Sequence, residues 1–103
     1  MQWSDLSLAH VLAAAKRIAP LVLRTPLTES PPLASEAGAV GVYLKLESLQ
    51  NTGAFKVRGA ASRILGLSEE ERARGVITFS TGNHGKAVSY VAGRLGIPAV
   101  VCV

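Results

Sequence analysis

Apolar residues recur at helical spacing in three stretches of the chain, and short β-type runs lie between them. Leu8, Val11, Leu12, Ala15 and Ile18 fall on one face over residues 7–19 and Pro20 ends the repeat, which predicts an amphipathic helix. From Leu21 to Pro32, three prolines surround Leu27-Thr28-Glu29, so a loop with a minor strand is expected, then a short helix near 32–37 ended by Gly38 and Gly41. Val42 to Glu47 alternates as a strand and Ser48 to Gly53 reads as polar loop. Val57, Ala60, Ala61, Ile64 and Leu65 then repeat at i, i+3, i+4, i+7 and i+8, a helix ending at Gly66. Ser68-Glu69-Glu70-Glu71 has the form of a capping box that opens a further short helix, closed by Gly75. Val76 to Ser80 reads as a strand, Thr81 to Gly85 as a tight turn, and Ala87, Val88, Val91, Ala92 and Leu95 as a third helical stripe. Gly96 and Pro98 stop that helix and Ala99 to Val103 returns as strand.

Strand, helix and strand over 76–103 make a βαβ unit, whose strands should be parallel and whose crossover should be right-handed. A chain of 103 residues, 49% hydrophobic and 17% charged, has the composition of a folded protein with room for one modest core. The last strand reads as buried on both faces, with Cys102 inside it, yet the sequence stops within that apolar run. The expectation is a fragment or one half of a split protein. Cys102 is the single cysteine, so no internal disulfide is possible.

Charge narrows the function classes only a little. Eleven Lys and Arg against seven Asp and Glu give +4, with no basic run and 5% aromatics, so the cations read as solvated helix faces and no nucleic-acid partner is expected. No apolar run approaches the roughly 20 residues of a membrane span. The first apolar stretch has Asp5 before it and Lys16-Arg17 after it, the reverse of a signal peptide. No membrane association and a cytoplasmic location are the expectations.

Two loops carry candidate chemistry, each just before a helix. In Asn51-Thr52-Gly53-Ala54-Phe55-Lys56-Val57-Arg58-Gly59-Ala60, Lys56 falls in the first helical turn, where the positive end of the dipole favours the neutral amine that a nucleophile needs. An ordinary surface lysine would look the same by position alone. Ser80-Thr81-Gly82-Asn83-His84-Gly85 joins the carboxyl end of a strand to a helix start, where backbone N–H groups converge on anions. A plain βα turn with Asn83 as helix cap is the alternative. The segment has neither G-x-G-x-x-G nor a P-loop lysine, and G-x-S-x-G is absent around Ser80. His84 has only His10 as a fellow histidine, so no metal site is expected. A reactive amine beside an anion-binding turn suggests carbonyl-amine chemistry on an anionic substrate.

Lys45-Leu46-Glu47, then Thr52 to Ala60, then Ser80 to Gly85 in register, resemble the fold-type II pyridoxal-phosphate enzymes, specifically the threonine/serine dehydratase and serine racemase family. The resemblance runs from the first predicted helix to Val103. It implies an α/β fold with a three-layer, open twisted, mostly parallel sheet, present here as its N-terminal part. Residues 1–68 would begin the large cofactor domain and 69–103 would be the first βαβ unit of the small one, both incomplete. The resemblance implies pyridoxal 5'-phosphate as cofactor. Lys56 would carry it as a Schiff base, Asn83 would bond its ring hydroxyl, and Phe55 would pack beneath the ring. Ser80, Thr81, Gly82, Asn83 and His84 would hold the substrate carboxylate, while Lys45 and Glu47 would be structural. The implied reaction is β-elimination, taking L-threonine, L-serine or a related hydroxy amino acid to a 2-oxo acid and ammonia.

Two positions depart from the family pattern. Ala54 stands where Ser is common, and Thr81 stands where racemases carry a serine, which favours dehydration over racemisation. The glycine-rich phosphate loop and the residue facing the pyridine nitrogen would lie beyond Val103. Expected partners are the small hydroxy amino acid and, at full length, further copies of the chain, or else a complementing C-terminal chain. Racemase-type activity, an inactive folding or interaction module, and a nucleotide-binding module built on the 80–85 turn are the competing readings.

Overall fold

The computed structural model describes residues 3–103. A 3-10 turn at Trp3–Asp5 leads into α1 (Leu8–Ile18), followed by β1 (Leu27–Glu29), α2 (Pro31–Ala37) and β2 (Tyr43–Lys45). After a 3-10 turn at Glu47–Leu49 come α3 (Lys56–Leu65), α4 (Glu69–Arg74), β3 (Val76–Phe79), α5 (Asn83–Leu95) and β4 (Ala99–Cys102). The strands form two separate pairs. β1 and β2 are antiparallel, with Thr28 opposite Leu44, and β3 and β4 are parallel, with Ile77 opposite Val100. The βαβ unit expected over 76–103 is present.

The core is where α3 meets α5. Val57, Ala60, Ala61 and Ile64 of α3 and Ala87, Val88, Val91 and Ala92 of α5 are all buried, with Ile18, Leu21 and Ile97 closing the edges. The four alanines let the two helix axes approach closely, and the β-branched residues between them fill the groove. These are the positions the 3.6-residue periodicity singles out. Ser68 accepts a hydrogen bond from the Glu71 N–H at 3.1 Å, and its own N–H donates to the Glu71 carboxylate at 2.8 Å, so the predicted capping box starts α4.

Two expectations are corrected. The last strand is not buried on both faces: α5 covers the side carrying Val76, Thr78 and Val101, whereas Ile77, Phe79, Val100 and Cys102 on the other side are exposed. An apolar run reads as fully buried from sequence because a strand's two faces share one string of residues. The stripe on α1 is likewise largely uncovered, with Leu8, Val11 and Leu12 exposed and only Ile18 buried. The radius of gyration, 16.5 Å, exceeds the about 13 Å of a compact chain of about 100 residues, as expected for a core confined to one region of an elongated body.

One glycine holds the parallel pair in register. Gly75 has φ +87°, and a Cβ there would sit 2.6 Å from the Pro98 carbonyl oxygen, beside the Val76 N–H to Pro98 O bond that starts the ladder. Gly75→Ala should therefore destabilise the protein by at least ~2 kcal/mol, the sum of a left-handed backbone penalty and a backbone clash. Chemical denaturation of the full-length protein beside the parent checks this.

Candidate active site

Both chemical loops lead into helices, α3 and α5, that pack against each other. Lys56 is the first residue of α3, and its Nζ lies 5.3 Å from the centre of the Phe55 ring, within cation–π distance. Phe55 is exposed, leaving most of its ring free for another partner. Beside them a cavity of about 710 Å³ opens between α3, α4, β3 and the first turn of α5. Phe55, Lys56, Thr78 and His84 border it, over a floor that includes Ile64 and Val88. That volume lies within the range of about 300–1,000 Å³ usual for small-molecule sites.

On the second loop, the Ser80 hydroxyl oxygen accepts the N–H groups of Gly82 at 3.2 Å and Gly85 at 3.0 Å. It thus satisfies backbone donors at the start of α5, the role that a plain βα turn would assign to Asn83. Asn83 is not the helix cap: Gly82 takes that position and Asn83 is the first helical residue. Gly85 is confined as well, since a Cβ on it would meet Val101 Cγ1 at 3.0 Å and the Ser80 carbonyl oxygen at 3.1 Å. The loop is therefore pressed against β4, with Thr81 and Asn83 exposed above it.

The structure brings Phe55, Lys56 and His84 together at the cavity. Ser80, Thr81, Gly82 and Asn83 lie on the adjoining loop and do not border it. Thr78 is a participant that sequence reasoning passed over: its Oγ1 lies 3.1 Å from His84 Nε2 and fixes one nitrogen of the ring. The signal was the strand alternation, which puts Thr78 on the face toward α5, but nothing local tied it to a histidine six residues later. Among the described residues no group of three or more His, Cys, Asp or Glu could hold a metal ion, and no helix is long and apolar enough to cross a membrane.

A second polar cluster sits at the foot of α3. Arg58 Nε and Nη2 donate to the two carboxylate oxygens of Glu47 at 2.5 and 3.0 Å, and the Thr25 hydroxyl donates to Glu47 Oε2 at 2.5 Å. Lys45 Nζ donates to the Thr25 carbonyl at 2.5 Å. Gln50 pairs with both backbone groups of Leu23, accepting its N–H at 2.8 Å and donating to its carbonyl at 2.9 Å, and Asn51 Nδ2 donates to the Leu21 carbonyl. The Arg58 hydrogen bonds, opposed by burial and assisted by the Thr25 hydroxyl, hold the Glu47 carboxyl down at about 2.

The chain matches the profile of the family described as "Pyridoxal-phosphate dependent enzyme" over residues 18–103. It belongs to that family. The fold-type II assignment agrees with solved structures. Over 93% of this chain and 31% of the other, it superposes on a serine racemase from Dictyostelium discoideum with a TM-score of 0.87 at 40% identity. It matches a threonine deaminase from T.th. over 95% of this chain and 34% of that one, with a TM-score of 0.82 at 43% identity. Among curated sequences, an L-threonine dehydratase catabolic TdcB from Staphylococcus aureus (strain N315) is 44% identical over 95 residues, 92% of this chain and 28% of that protein. The chain thus corresponds to the N-terminal portion of the fold-type II domain and spans about a third or less of each of these relatives.

Pyridoxal 5'-phosphate is the cofactor of this family, and the residues present suit it: an amine at a helix start, an exposed aromatic ring beside it, and a βα loop with Ser80, Thr81, Asn83 and His84. The Glu47 carboxyl gives the site a pH signature. Its pKa is depressed from 4.5 to about 2 on folding, so the stabilisation is complete above about pH 4.5 and is lost as pH falls toward 2. With Arg58 about a third exposed and partly screened, the contribution is on the order of 1–2 kcal/mol. Denaturation followed from pH 7 to pH 3 should show Glu47→Gln converging on the parent as the acid end is reached.

Proposed function

We propose that the full-length protein is a lyase that eliminates the β-hydroxyl of L-threonine, L-serine or a related hydroxy amino acid, giving a 2-oxo acid and ammonia. The single observation that carries this reading is the meeting of Lys56 and His84 at one cavity, in a chain 44% identical to an L-threonine dehydratase. Pyridoxal phosphate, when bound, supplies an electrophilic carbonyl carbon and a pyridine ring that absorbs the electron pair left at the substrate's Cα.

The chain's own residues divide the remaining work. Lys56 would hold the cofactor covalently and, once released from it by substrate, would take the Cα proton on its Nζ. Phe55 would pack on the ring, and Asn83, exposed at the first helical position, would bond its hydroxyl. The substrate carboxylate would sit at the N-terminus of α5, against the backbone of Gly82 and the side chains of Thr81, Asn83 and His84. Ser80 already accepts two N–H groups and keeps its own hydroxyl proton to donate outward. Thr78 would keep the His84 ring turned toward the cavity. In this reading residues 1–68 and 69–103 begin two lobes, and further copies or a complementing chain complete the assembly.

The full-length protein, reduced with borohydride in the presence of pyridoxal phosphate and mapped by mass spectrometry, should carry its tag on Lys56. Lys56→Ala should lose both the tag and turnover, and a tag on another lysine would sink the assignment.

The structural likeness to a serine racemase favours a second reading, racemisation at Cα. That reaction needs a proton donor on the face opposite Lys56, and Thr81, at the position where racemases of the family carry a serine, would offer only a β-branched, more restricted hydroxyl for that role. If elimination is the main reaction, Thr81→Ser should raise the D-serine formed per pyruvate formed, read by chiral chromatography.

A further inference from the structure

The proposed function leaves the cluster of Glu47, Arg58 and Thr25 without a part in the reaction, yet its arginine lies two residues from Lys56. We propose that Glu47 is a positioning residue: by gripping Arg58 it fixes the rotation and seating of the first turn of α3, and so the place of the Lys56 amine at the cavity. This rests on the reading of Lys56 as the amine that carries the cofactor.

The first turn of α3 is poorly provided for by itself. Phe55, at the N-cap position, offers no side-chain hydrogen bond, and the turn holds no acidic residue. It holds instead two cations, Lys56 and Arg58, at the positive end of the helix dipole. Such a turn should fray unless something outside the helix restrains it. Glu47 supplies the missing negative charge through two hydrogen bonds from one guanidinium, a geometry that fixes direction as well as distance. The carboxylate is anchored in turn. Its side chain is 16% exposed, it receives the Thr25 hydroxyl, and the strand before it is tied to Thr25 through Lys45. Arg58 Nη2 also reaches the Leu23 carbonyl at 3.3 Å, so the 21–25 segment, the 45–51 segment and α3 close on one another at Glu47.

The geometry sets the expected size of the effect. A side chain about 5–6 Å from a helix axis moves about 2 Å when the turn rotates by about 20°. Reactive groups misplaced by about 1 Å can cost about a hundredfold in rate. Glu47→Gln keeps the shape and can still accept from Thr25, but it gives up the charge that Arg58 grips. A role confined to folding would lower stability and leave the amine where it was.

The test uses the full-length protein loaded with pyridoxal phosphate, assayed well below the unfolding temperature of each variant. Glu47→Gln should lose at least ~10-fold in kcat with KM changed by less than about threefold, the pattern of a displaced reacting group. Its rate of borohydride incorporation at Lys56 should fall in parallel, a readout independent of turnover. Glu47→Asp, which keeps the carboxylate, should recover part of both, and Arg58→Lys, which loses the paired grip, should resemble Glu47→Gln. Either of these serves if Glu47→Gln does not fold. Variants that melt earlier but keep the parent's kcat and trapping rate overturn the positioning role while leaving the Lys56 reading intact. A parent protein that carries no adduct on Lys56 overturns both.

Discussion

The apposition of α3 and α5 decides where everything reactive in this chain can be. Alanines at 60, 61, 87 and 92 bring the helices together, with Val57 and Val91 fully buried between them. Lys56 opens one helix and Asn83-His84 the other, and with the two apolar stripes packed together Lys56 and His84 border the same cavity. No direct bond between the loops is needed. The loops inherit their relation from the core that begins directly beside them, at Val57 and Ala87, which is why the site can be polar and exposed without being undefined.

Two further constraints refine that placement. Gly75 against Pro98 and Gly85 against Val101 set how β3, β4 and the start of α5 fit together: a methyl group has no room at Gly75 and only a tight fit at Gly85. They fix the loop that carries Thr81 to His84. On the α3 side, the corresponding work falls to charge. The helix begins with two cations and no cap, and the carboxylate that offsets them comes from outside the helix, at Glu47. One loop is thus set by steric contact and the other by an ion pair.

How far the sequence made this legible follows from how local each signal is. The stripes on α3 and α5 and the capping box at Ser68 depend on neighbours within about one helical turn, and they stand where the pattern puts them, whereas the strand expected over 42–47 narrows to Tyr43–Lys45. The two chemical loops were legible from residue types alone, and the family from their joint register. The contacts that pass between distant segments were not. Thr25 and Arg58 lie 22 and 11 residues from Glu47, and no periodicity links a threonine before a proline to a carboxylate after a strand. Glu47 could be read as structural, but its hold on Arg58 could not. The same reason hid the Thr78–His84 contact and the bare face of β3 and β4, since composition does not say which side of a strand a helix will cover.

That bare face bears on the site itself. Thr78, which steadies His84, alternates along β3 with Ile77 and Phe79, which are exposed. A parallel pair of strands is normally covered on both sides, and here a helix covers one. Ile77, Phe79 and Val100 would each add roughly 1–2 kcal/mol if an apolar layer buried them fully, which together is a large fraction of a small domain's net stability. Because the strands are shared, that layer would stiffen the Thr78 side as well. The two sides thus differ: β3, which carries Thr78, has an open apolar face, whereas on the Lys56 side Glu47, Arg58 and Thr25 are hydrogen-bonded to one another within the chain.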